Sequence, residues 1–323
     1  MSFAVVFPGQ GSQSVGMLGA LAARFAGVRA CFSQASAVLG LDLWELVADG
    51  PVERLNATEF TQPAMLTAGV ATWRVWLEQG GALPALMSGH SLGEFTALVC
   101  AGALPFESAV ALVRYRGQLM QGAVPEGQGA MAAVLGLADA EVEAVCEQAS
   151  RAEAAEGAAT GAVVEAVNFN SPGQVVIAGH APAVQRALTL ARERGAKRAM
   201  LLPVSVPAHS SLMRQAAAQL QRRLAELPVS APRCHYVSAV DARAHESPDD
   251  IRATLVRQLA SPVRWTQTVQ ALLQHTHTLI ECGPGRVLTA LNRRIERAAV
   301  CQALEDPESL AGALQAVAGS AHD

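Results

Sequence analysis

The 323-residue chain is 51% hydrophobic and 16% charged, with a formal net charge of -4 and six cysteines. That length and polarity are enough to bury a full core in one or two domains, which excludes a disordered chain. The charge leaves no general basic field for nucleic acid. No apolar run reaches the roughly 18 residues of a membrane-spanning helix, and the opening Met1-Ser2-Phe3-Ala4-Val5-Val6-Phe7 lacks the basic segment of a secretory leader, so a cytoplasmic protein is expected.

Residues 3–7 read as a short buried strand ending at Pro8-Gly9-Gln10-Gly11, and a helical pattern follows over 17–39. Thr61-Gln62-Pro63 signals a helix start, with apolar residues at helical spacing over 64–77. Residues 85–88 are strand-like, and 92–101 read as a helix stopped by Gly102. This alternation predicts a mostly parallel sheet covered by helices. The chain changes character near Pro125-Glu126-Gly127. A strand over 129–137, a helix over 139–154, a Gly/Ala-rich loop over 155–162, strands over 163–168 and 174–178, a helix over 182–194 and a strand over 199–203 then follow. Their order, β-α-β-β-α-β, is that of a split, ferredoxin-like unit. The predicted organisation is therefore a large α/β domain of residues 1–125 and 204–323 with a small inserted domain of 126–203. The large domain resumes with strand-like Val204-Ser205-Val206, a helix over 209–227, a helix near 249–259, a strand near 278–281 and a helix over 287–299.

The cysteines Cys31, Cys100, Cys146, Cys234, Cys282 and Cys301 are scattered and form no CxxC pair, so free buried thiols are expected. His275 and His277 alternate about Thr276 without further ligands nearby, and no metal site is predicted.

Gly89-His90-Ser91-Leu92-Gly93-Glu94 carries the GxSxG pattern between a predicted strand and a predicted helix. In a nucleophile elbow the serine sits at the apex of such a turn, small neighbours avoid clashes, and the helix N-terminus offers N–H groups to a forming oxyanion. Ser91 is therefore the candidate nucleophile. His90 points away at such a turn, whereas Pro207-Ala208-His209 follows a predicted strand and makes His209 the candidate base. The loop Gly9-Gln10-Gly11-Ser12-Gln13-Ser14 fails the dinucleotide fingerprint at Ser14 and lacks the Walker Gly-Lys-Ser/Thr. What remains is a tight loop with an amide side chain and backbone donors, suited to completing an oxyanion hole. By spacing alone, Arg116 belongs to the solvated face of a helix over 109–120.

Phe7-Pro8-Gly9-Gln10-Gly11-Ser12-Gln13, the serine motif, Arg116-Gly117, Asn168-Phe169-Asn170-Ser171-Pro172-Gly173-Gln174, residues 203–209 and Gly283-Pro284-Gly285 occur together in this order. In this the chain resembles the malonyl-CoA:acyl carrier protein transacylases over nearly its whole length. The resemblance implies an α/β-hydrolase-like large domain with an inserted ferredoxin-like one. It further implies Ser91 as the acylated nucleophile, His209 as base and acid, and Arg116 as the holder of the malonyl carboxylate. Gln10 and the Leu92 N–H would form the oxyanion hole, the backbone carbonyl at Gln258 would orient the histidine, and Asn168 and Asn170 would line the mouth. Malonyl-CoA and acyl carrier protein are the implied partners, with no cofactor beyond the coenzyme A thioester substrate; a monomer is expected. Transfer in a polyketide or malonate decarboxylase system, or thioester hydrolysis, are the alternatives. Ala208 stands where such proteins often have serine, and the loop 152–162 looks longer than usual. Acyl carrier proteins are acidic, so Arg286, Arg293, Arg294 and Arg297, and a second group of Arg192, Arg194, Lys197 and Arg198, are candidate docking patches.

Overall fold

A computed structural model of the chain describes residues 2–155 and 162–319. They form two compact units, one of residues 1–118, 223–252 and 267–323 and a second of 119–222 and 253–266. Most of the predicted long loop, 156–161, lies outside the described residues.

The first unit is built on a six-stranded sheet, in the order β10-β9-β1-β2-β7-β8. Its strands are β1 (Ala4–Phe7), β2 (Leu86–Gly89), β7 (His235–Val237), β8 (Ala244–His245), β9 (Thr278–Glu281) and β10 (Val300–Ala303). All neighbours run parallel except β8, which is antiparallel to β7. Every residue of β1 and β2 is buried, as expected of strands covered on both faces. The buried Ser88 hydroxyl on β2 is satisfied by donating to the Val237 carbonyl at 2.7 Å. Because Phe7 pairs with Gly89, the loops that leave β1 and β2 emerge side by side at the carboxyl end of the sheet. In open α/β sheets this end carries the ligand-binding loops.

Helices α1 (Gly19–Arg24), α2 (Ala26–Leu39), α3 (Leu43–Asp49), α4 (Val52–Asn56), α5 (Thr58–Glu78) and α6 (Gly93–Cys100) belong to this unit, as does most of α7 (Phe106–Gln121). α5 is buried along most of its length, from Thr58 to Trp76. α7 lies hard against its start: a Cβ at Gly117 would stand 2.7 Å from Glu59 Cα and from the Thr58 carbonyl oxygen. No other residue leaves room for that approach, and it sets the neighbouring Arg116 beside Gln62. Helices α13 (Val287–Ile295) and α14 (Pro307–Gly319) complete the unit.

The second unit carries a four-stranded sheet in the order β4-β5-β3-β6, antiparallel throughout. Its strands are β3 (Gly129–Leu135), β4 (Val164–Ser171), β5 (Gln174–His180) and β6 (Arg198–Leu201), joined through α8 (Asp139–Ala155) and α9 (Ala181–Glu193) in the ferredoxin-like sequence. Val142 and Val145 of α8 and Val184 and Leu188 of α9 pack with Val164, Val175 and Ile177 of the sheet into one core. On the opposite face, Met131, Val167, Val176 and Ala178 are covered by Leu202, Val204 and Ala208. Val263 joins β4 as an isolated parallel bridge, its N–H bonding the Val167 carbonyl and its carbonyl accepting from Phe169. These contacts are why residues 204–222 and 253–266 belong with this sheet, outside the 126–203 span. Of the remaining helices, α10 (Arg214–Ala225), α11 (Pro248–Gln258) and α12 (Trp265–Leu273), each begins or ends across a division between the units.

Several local expectations fail for identifiable reasons. The pattern over 17–39 is two helices, interrupted at Phe25, which is extended (φ -123, ψ 106). Periodicity does not register the break because Leu21, Ala22, Val28 and Cys31 are buried on either side of it. Val204-Ser205-Val206 is not a strand; Val204 covers a sheet face without joining it. The helix expected from His209 begins at Arg214, after a single 3-10 turn at Ser211–Met213. The helix over 287–299 ends at Ile295, and Val300–Ala303 becomes edge strand β10.

Candidate active site

The turn from β2 into α6 places Ser91 at its apex with φ 52, a left-handed conformation that a non-glycine residue adopts only under local constraint. Both flanking glycines are required by space: a Cβ at Gly89 would lie 1.9 Å from Gly93 C, and one at Gly93 would lie 2.0 Å from the Phe7 carbonyl oxygen. The elbow is thus wedged against the end of β1. Ser91 is half-buried, and Leu92 is the N-cap of α6. Among the described residues nothing accepts a hydrogen bond from the Leu92 N–H, one of the donors that a helix N-terminus leaves for another acceptor. Gln10 follows β1, and its Nε2 lies 3.4 Å from Thr58 Oγ1.

Arg116 is 1% exposed, the one buried arginine among the described residues. Its Nη1 donates to Gln62 Oε1 at 2.8 Å and its Nη2 to Ser91 Oγ at 3.2 Å, while the guanidinium lies 5.4 Å from the Phe95 ring centroid. The solvated helix face read from spacing is therefore corrected: this side chain points inward. Burial pulls its pKa down to about 10, and the charge of Glu94 acts in the opposite direction. At neutral pH it is a desolvated cation beside a serine hydroxyl, able to present a planar fork to a carboxylate.

In the second unit His209 has φ 65 and is 4% exposed. Its Nδ1 lies 2.9 Å from the backbone carbonyl oxygen of Gln258. A carbonyl only accepts, so Nδ1 carries the proton and the lone pair of the neutral ring falls on Nε2, the tautomer a general base needs. Ser210 Oγ donates to the Pro207 carbonyl at 2.7 Å, and the Ser211 N–H donates to Glu165 Oε2 at 2.5 Å, fixing the turn on which the imidazole stands. Asn168 and Asn170 lie on β4, where the register slips between Ala166 and Asn168 and again between Phe169 and Ser171. Asn168 Oδ1 is buried without a hydrogen-bond partner among the described residues, while Asn170 is 9% exposed.

Within its own unit, then, the structure brings Ser91 and Arg116 together, and His209 and Gln258. Gln62 and Tyr236 escaped the sequence reading. Gln62 carried only a helix-start signal, and Tyr236, whose hydroxyl donates to the buried Glu94 carboxylate, sits on a three-residue strand. His275 and His277 are exposed, and no group of three or more metal-ligating side chains occurs among the described residues. The six cysteines are free thiols, five of them buried as expected and Cys234 only half-buried. Among the described residues no helix is long and apolar enough to cross a membrane. At least four of the basic candidates are already engaged: Arg286 pairs with Glu305 at 2.5 Å, Arg293 Nη2 donates to the Cys301 carbonyl at 2.9 Å, Arg192 Nη2 donates to the Ala199 carbonyl at 2.7 Å, and Arg194 Nη2 donates to Gln148 Oε1 at 2.6 Å.

The acyl transferase domain family matches residues 4–315 of the chain. A malonyl CoA-acyl carrier protein transacylase of Escherichia coli strain K12 is 53% identical over 314 residues, covering 97% of this chain and 99% of that protein. The crystal structure of an acyl carrier protein S-malonyltransferase from Vibrio cholerae superimposes with a TM-score of 0.92 at 53% identity, over 97% of this chain and 100% of the other. A malonyl transacylase solved in complex with its type II polyketide acyl carrier protein is 50% identical, with a TM-score of 0.93 over 98% of this chain and 100% of that one. With a matching profile over nearly its full length and relatives at this identity, the chain belongs to the malonyl-CoA:acyl carrier protein transacylase family.

Proposed function

We propose that the protein moves a malonyl group from malonyl-CoA to the phosphopantetheine thiol of acyl carrier protein, supplying fatty acid synthesis in the cytoplasm, through an acyl-serine at Ser91. The observation that carries this is the Arg116 guanidinium, buried and 3.2 Å from the Ser91 hydroxyl at a strained elbow. A nucleophile beside a desolvated cation suits an acyl group that ends in a carboxylate.

In the proposed cycle His209 Nε2 takes the Ser91 proton as Oγ attacks the thioester carbonyl carbon. The oxyanion is held by the Leu92 N–H and Gln10. Collapse breaks the C–S bond, and the coenzyme A thiolate leaves with the proton from His209. The carrier thiol then gives its proton to His209, attacks the ester, and Ser91 regains its hydrogen. The Gln258 carbonyl keeps Nδ1 protonated throughout, doing by orientation what a third acidic residue does in a triad. Asn168 and Asn170 border the entrance. Coenzyme A enters as part of the substrate, and this chemistry calls for no cofactor.

The test is product identity. Malonyl-CoA and holo acyl carrier protein are expected to give malonyl carrier protein and free coenzyme A in equal amounts. Release of free malonate at an equal rate with and without the carrier thiol would make the protein a hydrolase.

A further inference from the structure

A buried cation needs a counter-charge even when no substrate is bound. Among the described residues there is one buried arginine, Arg116, and there are two buried carboxylates, Glu94 at 0% and Glu281 at 1% exposure. Glu281 is committed elsewhere: its two oxygens accept from the Leu288 and Thr289 N–H groups at the start of α13. Glu94 precedes Phe95, whose ring lies under the Arg116 guanidinium, and it receives the Tyr236 hydroxyl from β7, the strand beside β2. The N-terminal turn of α6 also favours the ionised carboxylate.

We infer that Glu94, held as an anion by Tyr236, is a positioning residue that pre-neutralises Arg116 and so moderates its grip on the acyl carboxylate. This rests on the reading of Arg116 as the carboxylate holder. The chemistry supplies the reason. The malonyl carboxylate would stay on Arg116 through both half-reactions and leave only with the final product. An unopposed buried guanidinium would bind that product as tightly as the substrate and retard release. A resident carboxylate raises the energy of the second anion without touching the acyl carbon. Burial and the Glu94 charge push the Tyr236 pKa well above the usual phenol range, so Tyr236 remains a donor to Glu94 at any working pH. The Glu94 charge in turn opposes the burial that pulls the Arg116 pKa down.

The test is binding of malonyl-CoA and of acetyl-CoA, its uncharged analogue, to the Ser91→Ala protein, measured by titration calorimetry. That protein is compared with versions that also carry Glu94→Gln, Tyr236→Phe or Arg116→Met. Glu94→Gln is expected to tighten malonyl-CoA by about threefold to tenfold and to leave acetyl-CoA within about twofold. Tyr236→Phe is expected to move malonyl-CoA in the same direction by less, and it decides the matter if Glu94→Gln does not fold. Unchanged or weaker malonyl-CoA binding, or equal shifts for both donors, would overturn the inference. If Arg116→Met leaves the preference for malonyl-CoA intact, the carboxylate reading of Arg116 falls and this inference falls with it. If Arg116→Met abolishes the preference but Glu94→Gln does not sharpen it, only the counter-charge role is lost.

Discussion

Replacing Arg116 by methionine keeps an apolar stem over Phe95 and removes only the charged fork. A guanidinium about 4 Å from a carboxylate, at an effective dielectric of about 20, contributes about 4 kcal/mol. Two circumstances reduce that figure. Nη1 and Nη2 already serve Gln62 and Ser91, and the incoming carboxylate must itself be desolvated. About 3 kcal/mol remains, or roughly 150-fold in kcat/KM for malonyl-CoA. Acetyl-CoA has no carboxylate to lose, so its kcat/KM should stay within a few-fold of the unmodified enzyme. Steady-state transfer to holo acyl carrier protein, followed for both donors, gives the ratio directly. Equal losses for the two would mean that Arg116 supports the fold or Ser91 and does not read the acyl group. The buried Arg116 to Gln62 hydrogen bond is lost in the variant, so thermal unfolding should also show a loss of about 1–2 kcal/mol.

Gly93→Ala drives a methyl group into the Phe7 carbonyl at 2.0 Å, so it should lower the melting temperature and abolish transfer together, as circular dichroism and the transfer assay would show. Gln258 offers His209 its main-chain carbonyl, so Gln258→Ala should leave transfer within about tenfold while costing about 2–3 kcal/mol of stability in urea unfolding, since the lost side chain is fully buried. Burial pushes the Cys31 and Cys146 thiols up to about 12. A folded-state pKa above the unfolded one means stability present below the ordinary thiol range and lost as pH rises through it, so the urea midpoint should fall from pH 8 toward pH 11. Consistent with this, the five buried cysteines should resist a thiol reagent at pH 8 in the native protein, leaving at most the half-buried Cys234 to react, and all six should react after unfolding. Charge reversal at the exposed Arg294 and Arg297 should raise the apparent KM for carrier protein and spare the coenzyme A half-reaction.

The serine elbow was legible because its requirements are local. A strand, two glycines and a helix lie within a dozen residues, and the pattern announces the turn even though the contact that demands Gly93 comes from the distant Phe7 carbonyl. The small sheet was equally legible, since β-α-β-β-α-β is written as alternating periods along the chain. Arg116 was not, because helical spacing does not distinguish a side chain that points to solvent from one that points at Gln62, 54 residues away. The Tyr236 to Glu94 bond spans 142 residues and begins on a strand too short to carry a period. Around His209 the apolar alternation of Val204 and Val206 was real but reflected packing of Val204 on a sheet face and burial of Val206, while the backbone itself is a proline turn with a left-handed apex.

The proposed cycle depends on acylation of one hydroxyl. Intact-protein and peptide mass spectrometry of the enzyme mixed with malonyl-CoA, without carrier protein, is the most direct measurement. The expected result is a single malonyl adduct on the peptide bearing Ser91, absent in Ser91→Ala and discharged when holo acyl carrier protein is added. An unmodified Ser91, or an adduct that persists in Ser91→Ala, would contradict it.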